Sequence, residues 1–255
     1  KEKFVNWLYT EKNHSINYVA KGLEVIRQFL AAARDQGLHE NDYPQSKLFR
    51  QKKIPTATIA LSREELDAIS AVDLSEHPDG YEKARTLFLI GAYTGLRHSD
   101  YKRIKPEHIS DGQISILSQK TRQQLLIPLH PNLEKVLEQC GYRSPRLSQQ
   151  RLNEHIKEIA RMAGITEKRA VYTSAGGKVV EEFTPKYKSV SSHTARRTFA
   201  TQARIDGWPT TLIRAITGHS TDQQLDNYID YDMYLAAVQV KDYFQKGKDR
   251  GLKIG

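Results

Sequence analysis

The chain has 255 residues, enough for one large domain or two smaller ones around a buried core. Hydrophobic residues make up 38% and charged residues 27%; there is no apolar run near the roughly 20 residues of a membrane span and no leader-like start, so a soluble, cytoplasmic protein is expected. The single cysteine, Cys140, leaves no internal disulfide and no cysteine cluster for a metal, and a net charge of +9 suits a polyanionic partner.

In chain order, FVNWLY reads as the last turns of a helix, too short to bury much, so this end of the chain is expected to be truncated. Ser15 then caps a helix in which Val19, Leu23, Ile26, Leu30 and Ala31 recur at helical spacing until near Gly37. From His39 to Ala60 no periodicity survives, and the basic cluster Arg50, Lys52, Lys53 lies within this linker-like stretch. We divide the chain into a helical domain at 1–52, a linker at 53–61 and a main domain at 62–255. Ser62 and Glu65 form a capping box that opens the main domain. A strongly apolar helix follows over about 80–94; Gly95 stops it, Arg97 stands just beyond, and Pro106 ends a further short helix.

ISIL and LLIPL flank SQKTRQQ as a hairpin with a polar tip that carries Lys120 and Arg122. Helices are expected at 131–140 and at 148–163, the second capped by Ser148, and Cys140 falls at the end of the first as a structural residue. A looser hairpin spans Ala170–Thr184 around a glycine pair. From His193 on, the pattern is helical, with breaks at Gly207 and Gly218. The fold class is mainly α with a small antiparallel β-sheet.

The stretch HTARRTFATQARIDGWPTTLIRAITGHSTDQQLDNY holds the densest chemistry. His193 and Arg196 are three apart and share a helix face; His219 follows Gly218, and Tyr228 comes nine residues later. Breaking a phosphodiester without a metal needs charge neutralisation, an attacking oxygen and a proton for the leaving oxygen. Arg97 and Arg196 supply the first, since guanidinium forks hold phosphate oxygens and stabilise charge that grows in the transition state. A tyrosine supplies the second, although its pKa near ~10 means that it needs help from neighbouring cations or a base. Tyr231 competes with Tyr228 for that role on physical grounds. Asp222, Asp226, Asp230 and Asp232 follow the spacing of a surface helix face rather than of a metal site, and neither metal nor cofactor is expected.

Arg97, Lys120, His193, Arg196, His219 and Tyr228, in that order, resemble the catalytic set of the tyrosine recombinases, the phage-integrase family. The resemblance spans about residues 62–240 and is most specific at GLR and at H-x-x-R…GH…Y. TGLRHSDYKRI and SSHTARRTFATQ also resemble recombinases of Bacteroides mobile elements. It implies a site-specific DNA recombinase or integrase, with Tyr228 as nucleophile through the GHS-x7-Y spacing and Lys120 on the hairpin as general acid, Arg122 being the alternative. His193 would orient the tyrosine or accept its proton, His219 would hydrogen-bond the phosphate, and Asp100 would brace the arginines. Strand exchange would pass through a 3′-phosphotyrosine and a Holliday junction. The partners implied are double-stranded DNA, three further copies in a tetramer on two sites, and accessory DNA-bending or directionality factors; the setting would be the nucleoid. The N-terminal helices resemble part of the family's core-binding domain. DNA phosphate contacts are expected from Arg50, Lys52, Lys53, Lys102, Arg103, Lys105, Arg122, Lys186, Lys188 and Arg197, and YDMYLAAVQVKDYF (231–244) is expected to pack on a neighbouring protomer. The alternatives are a type IB topoisomerase-like enzyme and a non-cutting DNA-binding regulator of the same fold.

Overall fold

The computed structural model describes residues 1–54 and 58–226. Two compact units form: Lys1–Ala57 with Glu167–Pro185, and Thr58–Thr166 with Lys186–Gly255, in each case as far as the described residues reach.

The first unit opens with α1 (Glu2–Thr10) and α2 (Ile16–Asp35). The Ser15 hydroxyl accepts from Tyr18 N, the expected N-cap, and Val19, Ala20 and Leu23 bury one stripe of α2. The stretch that looked like a linker is better ordered than its pattern suggests. Two 3₁₀ turns, Tyr43–Gln45 and Lys47–Phe49, bury Pro44 and drive Phe49 into a small core with Val5, Val19 and Leu23. A single aromatic anchor of this kind leaves no periodic trace.

In the second unit, α3 (Arg63–Ala71) begins at the Ser62–Glu65 capping box, with both reciprocal bonds made. The core helix is α4 (Asp79–Thr94), largely buried from Ala84 on and packed against α3 and four later helices. It ends at Gly95, whose φ of 66° is the left-handed conformation that glycine adopts without penalty. A one-turn helix, α5 (His98–Tyr101), follows; Pro106 then opens a 3₁₀ turn, where a helix end was expected.

The sheet is β1 (Ile109–Ser110), β2 (Gln113–Leu117) and β3 (Gln124–Pro128), antiparallel in that order. Ile114 pairs with Ile127 and Ile116 with Leu125, so every second residue of the hairpin points into the core. Next come α6 (Pro131–Gln139) and α7 (Gln149–Met162), the latter capped by Ser148. The strands β4 (Lys168–Ala175) and β5 (Lys178–Pro185) form the second hairpin, which groups with the first unit rather than with the chain on either side of it. The Ser174 hydroxyl accepts from Ile16 N at 2.9 Å, and the turn glycines Gly176 and Gly177 sit against Asn13 and Tyr9. The chain returns to the second unit through α8 (Ser192–Ile205), α9 (Thr210–Thr217) and α10 (Asp222–Asp226). None of the described helices is long and apolar enough to cross a membrane.

Candidate active site

The packing of α4 on α8 sets the geometry of the site. A Cβ on Gly91 would lie 2.6 Å from the Tyr101 ring and 3.1 Å from Ala195 Cβ, and one on Gly95 would run into the Phe199 ring. The two glycines, four apart on one face, let the helices approach closely. This spacing is a local signal in GAYTG that the motif reading passed over. Close approach carries the end of α4 to α8, where Gly95 O accepts from Arg196 at 3.0 Å.

Arg196 is buried, at 2% exposure. Its other terminal nitrogen lies 3.0 Å from His219 Nε2. A guanidinium only donates, so this ring nitrogen must be the acceptor and the proton sits on Nδ1. Nδ1 in turn meets Thr217 Oγ1 at 2.8 Å, and that hydroxyl donates to Ile213 O at 2.6 Å. A directed chain from Arg196 through His219 and Thr217 thus ends on the helix backbone and fixes the tautomer. Burial first, then the charges of Arg196, Arg97, Arg214 and Arg197, push the His219 pKa down to about 3. The ring is therefore neutral, and its Nε2 accepts from Arg196.

Arg97 caps the N-terminus of α5 and reaches across to the same loop, donating to Gly218 O at 3.2 Å. Its second terminal nitrogen is buried with no hydrogen-bond partner among the described residues. A buried cationic nitrogen without a partner is costly, and a bound anion would satisfy it.

His193 stands on the first turn of α8 at the open side of the site. Desolvation, followed by the charges of Arg197, Arg196, Lys120 and Arg97, holds its pKa below the usual histidine range. The same electrostatic neighbourhood draws in Lys120, exposed in the β2–β3 turn. His98, next to Arg97, is also pushed down, mainly by desolvation and then by the charges of Lys102 and His193; its Nε2 is buried without a partner among the described residues.

Asp100 departs from expectation. Fully buried, it accepts from Ser118 Oγ at 3.2 Å, Gln119 N at 2.9 Å and Arg103 at 3.1 Å, and makes no bond to Arg97 or Arg196. Because α5 is a single turn, the side chain three residues after Arg97 points at the hairpin rather than at the arginine heads. Asp100 anchors the turn that holds Lys120.

One expected DNA contact is internal instead. Lys186 is 5% exposed, and its ammonium bonds both oxygens of Glu65 at 2.7 and 2.6 Å. Arg103 ties Asp100 to Leu117 O at 2.8 Å. Arg50, Lys52, Lys53, Lys102, Lys105, Arg122 and Lys188 are exposed and Arg197 is half-buried; Lys53 pairs with Glu24 at 2.8 Å. Asp222 and Asp226 lie on the surface face expected of them, paired with Arg214 and Arg204, and no group of three or more metal-binding side chains occurs among the described residues. Tyr228, Tyr231, Asp230, Asp232 and the segment 231–244 lie outside the described residues. The motif reading missed Arg214, which binds the loop carrying His219 and is distinguished in the sequence only by standing four residues before Gly218.

Several solved structures share this fold. XerA recombinase superposes with a TM-score of 0.54 at 18% identity, over 95% of this chain and 81% of that one. A lambda integrase dimer bound to a COC′ core site gives 0.64 at 16%, over 89% and 77%. The Tn1549 transposon integrase in complex with a circular intermediate DNA gives 0.62 at 14%, over 93% and 82%. No curated protein sequence matches the chain. The family model described as the phage integrase family matches residues 60–234, well over half of the sequence, and the chain belongs to that family.

Proposed function

We infer that the protein is a site-specific DNA recombinase that cuts and rejoins strands through a covalent tyrosine–DNA link, in the service of a mobile element. The observation that carries this reading is the pair of arginines meeting one loop, Arg97 at Gly218 and Arg196 at His219, with a buried Arg97 nitrogen left for an anion.

The scissile phosphate sits between Arg97 and Arg196, whose charges offset those that build on its oxygens at the transition state. Tyr228 attacks phosphorus: the Tyr O–P bond forms and the P–O5′ bond breaks. The phenol proton passes to His193, which is neutral and able to take it. Lys120 gives a proton to the departing 5′-oxygen, from a turn held in place by Asp100. The free 5′-hydroxyl of a partner duplex then attacks the phosphotyrosine and releases Tyr228. The linkage conserves the energy of the broken bond, so the cycle needs no nucleotide hydrolysis. A second pair of exchanges resolves the Holliday junction within a tetramer on two DNA sites, with residues 231–244 packing on a neighbouring copy.

The division of labour proposed is a DNA-holding helical region at 1–52 and a catalytic region at 62–255. Arg50, Lys52, Lys53, Lys102, Lys105, Arg122, Lys188 and Arg197 contact phosphates, which orient the protein but do not read bases. Accessory bending or directionality factors select the outcome in the nucleoid.

Covalent capture tests this. The protein is incubated with a library of nicked duplexes and denatured in SDS, and the DNA that stays attached is sequenced. Adducts at one recurring sequence, lost in Tyr228→Phe and kept in Tyr231→Phe, are the expected result. Loss with Tyr231→Phe alone would move the nucleophile; no adduct from protein that binds DNA would leave a non-cutting regulator.

A further inference from the structure

Arg214, in the last turn of α9, has every polar edge of its guanidinium turned back onto the chain that follows. Nε donates to His219 O at 3.2 Å, one terminal nitrogen to Ser220 O at 2.6 Å, and the other to the Asp222 carboxylate at 3.0 Å. Its own carbonyl accepts from Gly218 N at 2.7 Å, so side chain and backbone grip the same turn from both ends. Arg214 thereby fixes two carbonyls that lie beyond the end of α9 together with the first residue of α10. A guanidinium fork makes such a multi-point grip, whereas a lysine, a single point charge on a flexible stem, does not.

The loop so held carries His219, whose ring touches Arg196. His219 must keep its Nε2 within 3.0 Å of the buried guanidinium while its Nδ1 stays on Thr217, and both contacts depend on where the 218–222 backbone runs. All three guanidinium nitrogens of Arg214 are engaged internally, unlike Arg97, which keeps a buried nitrogen without a partner among the described residues.

We propose that Arg214 is a positioning residue of the cleavage site: by pinning the loop between α9 and α10 it seats His219 on Arg196 and so aims Arg196 at the phosphate. The proposal rests on the recombinase reading for its consequence in catalysis, but its structural half can be tested without DNA.

The probe is the full chain with ¹⁵N-labelled histidine, compared as wild type, Arg214→Gln and Arg214→Lys. The charged groups facing His219 are Arg196, Arg97, Arg214 and Arg197, and the wild-type ring should hold the Nδ1–H tautomer and stay neutral to about pH 5. Both variants should lose the fixed tautomer, and Arg214→Gln should also begin to titrate closer to the ordinary histidine range. In single-turnover cleavage of a nicked duplex at saturating protein, both should slow by roughly 100-fold, as expected for small displacements of a catalytic group, while DNA affinity changes less than about twofold.

A His219 ring unchanged in either folded variant would overturn the proposal. So would full cleavage by Arg214→Lys, since charge alone would then suffice. If Arg214→Gln does not fold, Arg214→Lys and the milder Asp222→Ala, which removes one of the three bonds, carry the same test. A wild type that cuts no DNA would sink the recombinase reading, and the ring signals would still decide the role of Arg214.

Discussion

Arg97 and Lys186 show how differently two cations of the same chain are used. Arg97 keeps a buried nitrogen open, whereas Lys186 spends its ammonium on Glu65. Arg97→Lys should therefore abolish covalent adducts while leaving DNA binding within a few-fold, because a point charge cannot replace a planar fork; filter binding beside the SDS assay separates the two effects. Lys186→Ala should cost about 2–4 kcal/mol of stability in denaturant melts and leave the salt dependence of DNA binding unchanged. Lys188→Ala, two residues on and exposed, should do the reverse, lowering the slope of log affinity against log salt by about 1. The sequence could not separate these two lysines. Both sit in a basic cluster, and only the path of the backbone decides which one faces a carboxylate.

His219 adds a pH dependence. Its pKa falls from 6.5 in the unfolded chain to about 3 in the folded one, so the unfolded state binds a proton first as pH drops. The stability that comes with the neutral ring is complete above about pH 6.5 and is lost progressively toward pH 3. Thermal melts should fall between about pH 7 and pH 5, and His219→Asn should flatten part of that slope. The remainder belongs to His193, His98 and His130, which are all shifted in the same direction. A slope identical in His219→Asn would refute the assignment.

At the scale of elements, the sequence was legible wherever a signal is local. The Ser15, Ser62 and Ser148 caps, the Gly95 stop and the alternation of Ile114, Ile116, Leu125 and Ile127 all act within a few residues of themselves. The order of motifs likewise led to Arg97, Lys120, His193, Arg196 and His219, which the fold brings to one neighbourhood. What escaped was side-chain direction. Asp100 was expected to face the arginines, yet its one-turn helix aims it at the β2–β3 turn, a choice made by long-range packing. Asp100→Ala would leave Ser118, Gln119 and Arg103 without their common acceptor in a buried site, at a cost on the order of 3 kcal/mol. Hydrogen exchange should then rise at residues 117–124 before the helices loosen. Gly95→Ala should be comparably harmful, since it combines a strained φ with a clash against Phe199.

At the scale of the whole molecule, the expected boundary near residues 53–61 accounts for one passage between the units, but the hairpin β4–β5 adds two more, at 166–167 and 185–186. No local pattern announces this, because its cause is a hydrogen bond that spans 158 residues, between Ile16 and Ser174. A protease site engineered just after Ile54 should thus be cut without freeing the N-terminal fragment, which the hairpin retains. Co-elution of both pieces in gel filtration is the expected outcome, and separation would show that the hairpin contacts are too weak to matter.

A discontinuous unit also has a history. On the ribosome α1 and α2 emerge before α3 to α7, and the strands that complete their unit arrive only after those helices have been made. Until then, Tyr9 and the backbone of Ile16 lack the partners that the hairpin brings. A segment made before α3 to α7 is therefore completed after them, and a chain that ends before residue 168 leaves α1 and α2 exposed to chaperones and proteases.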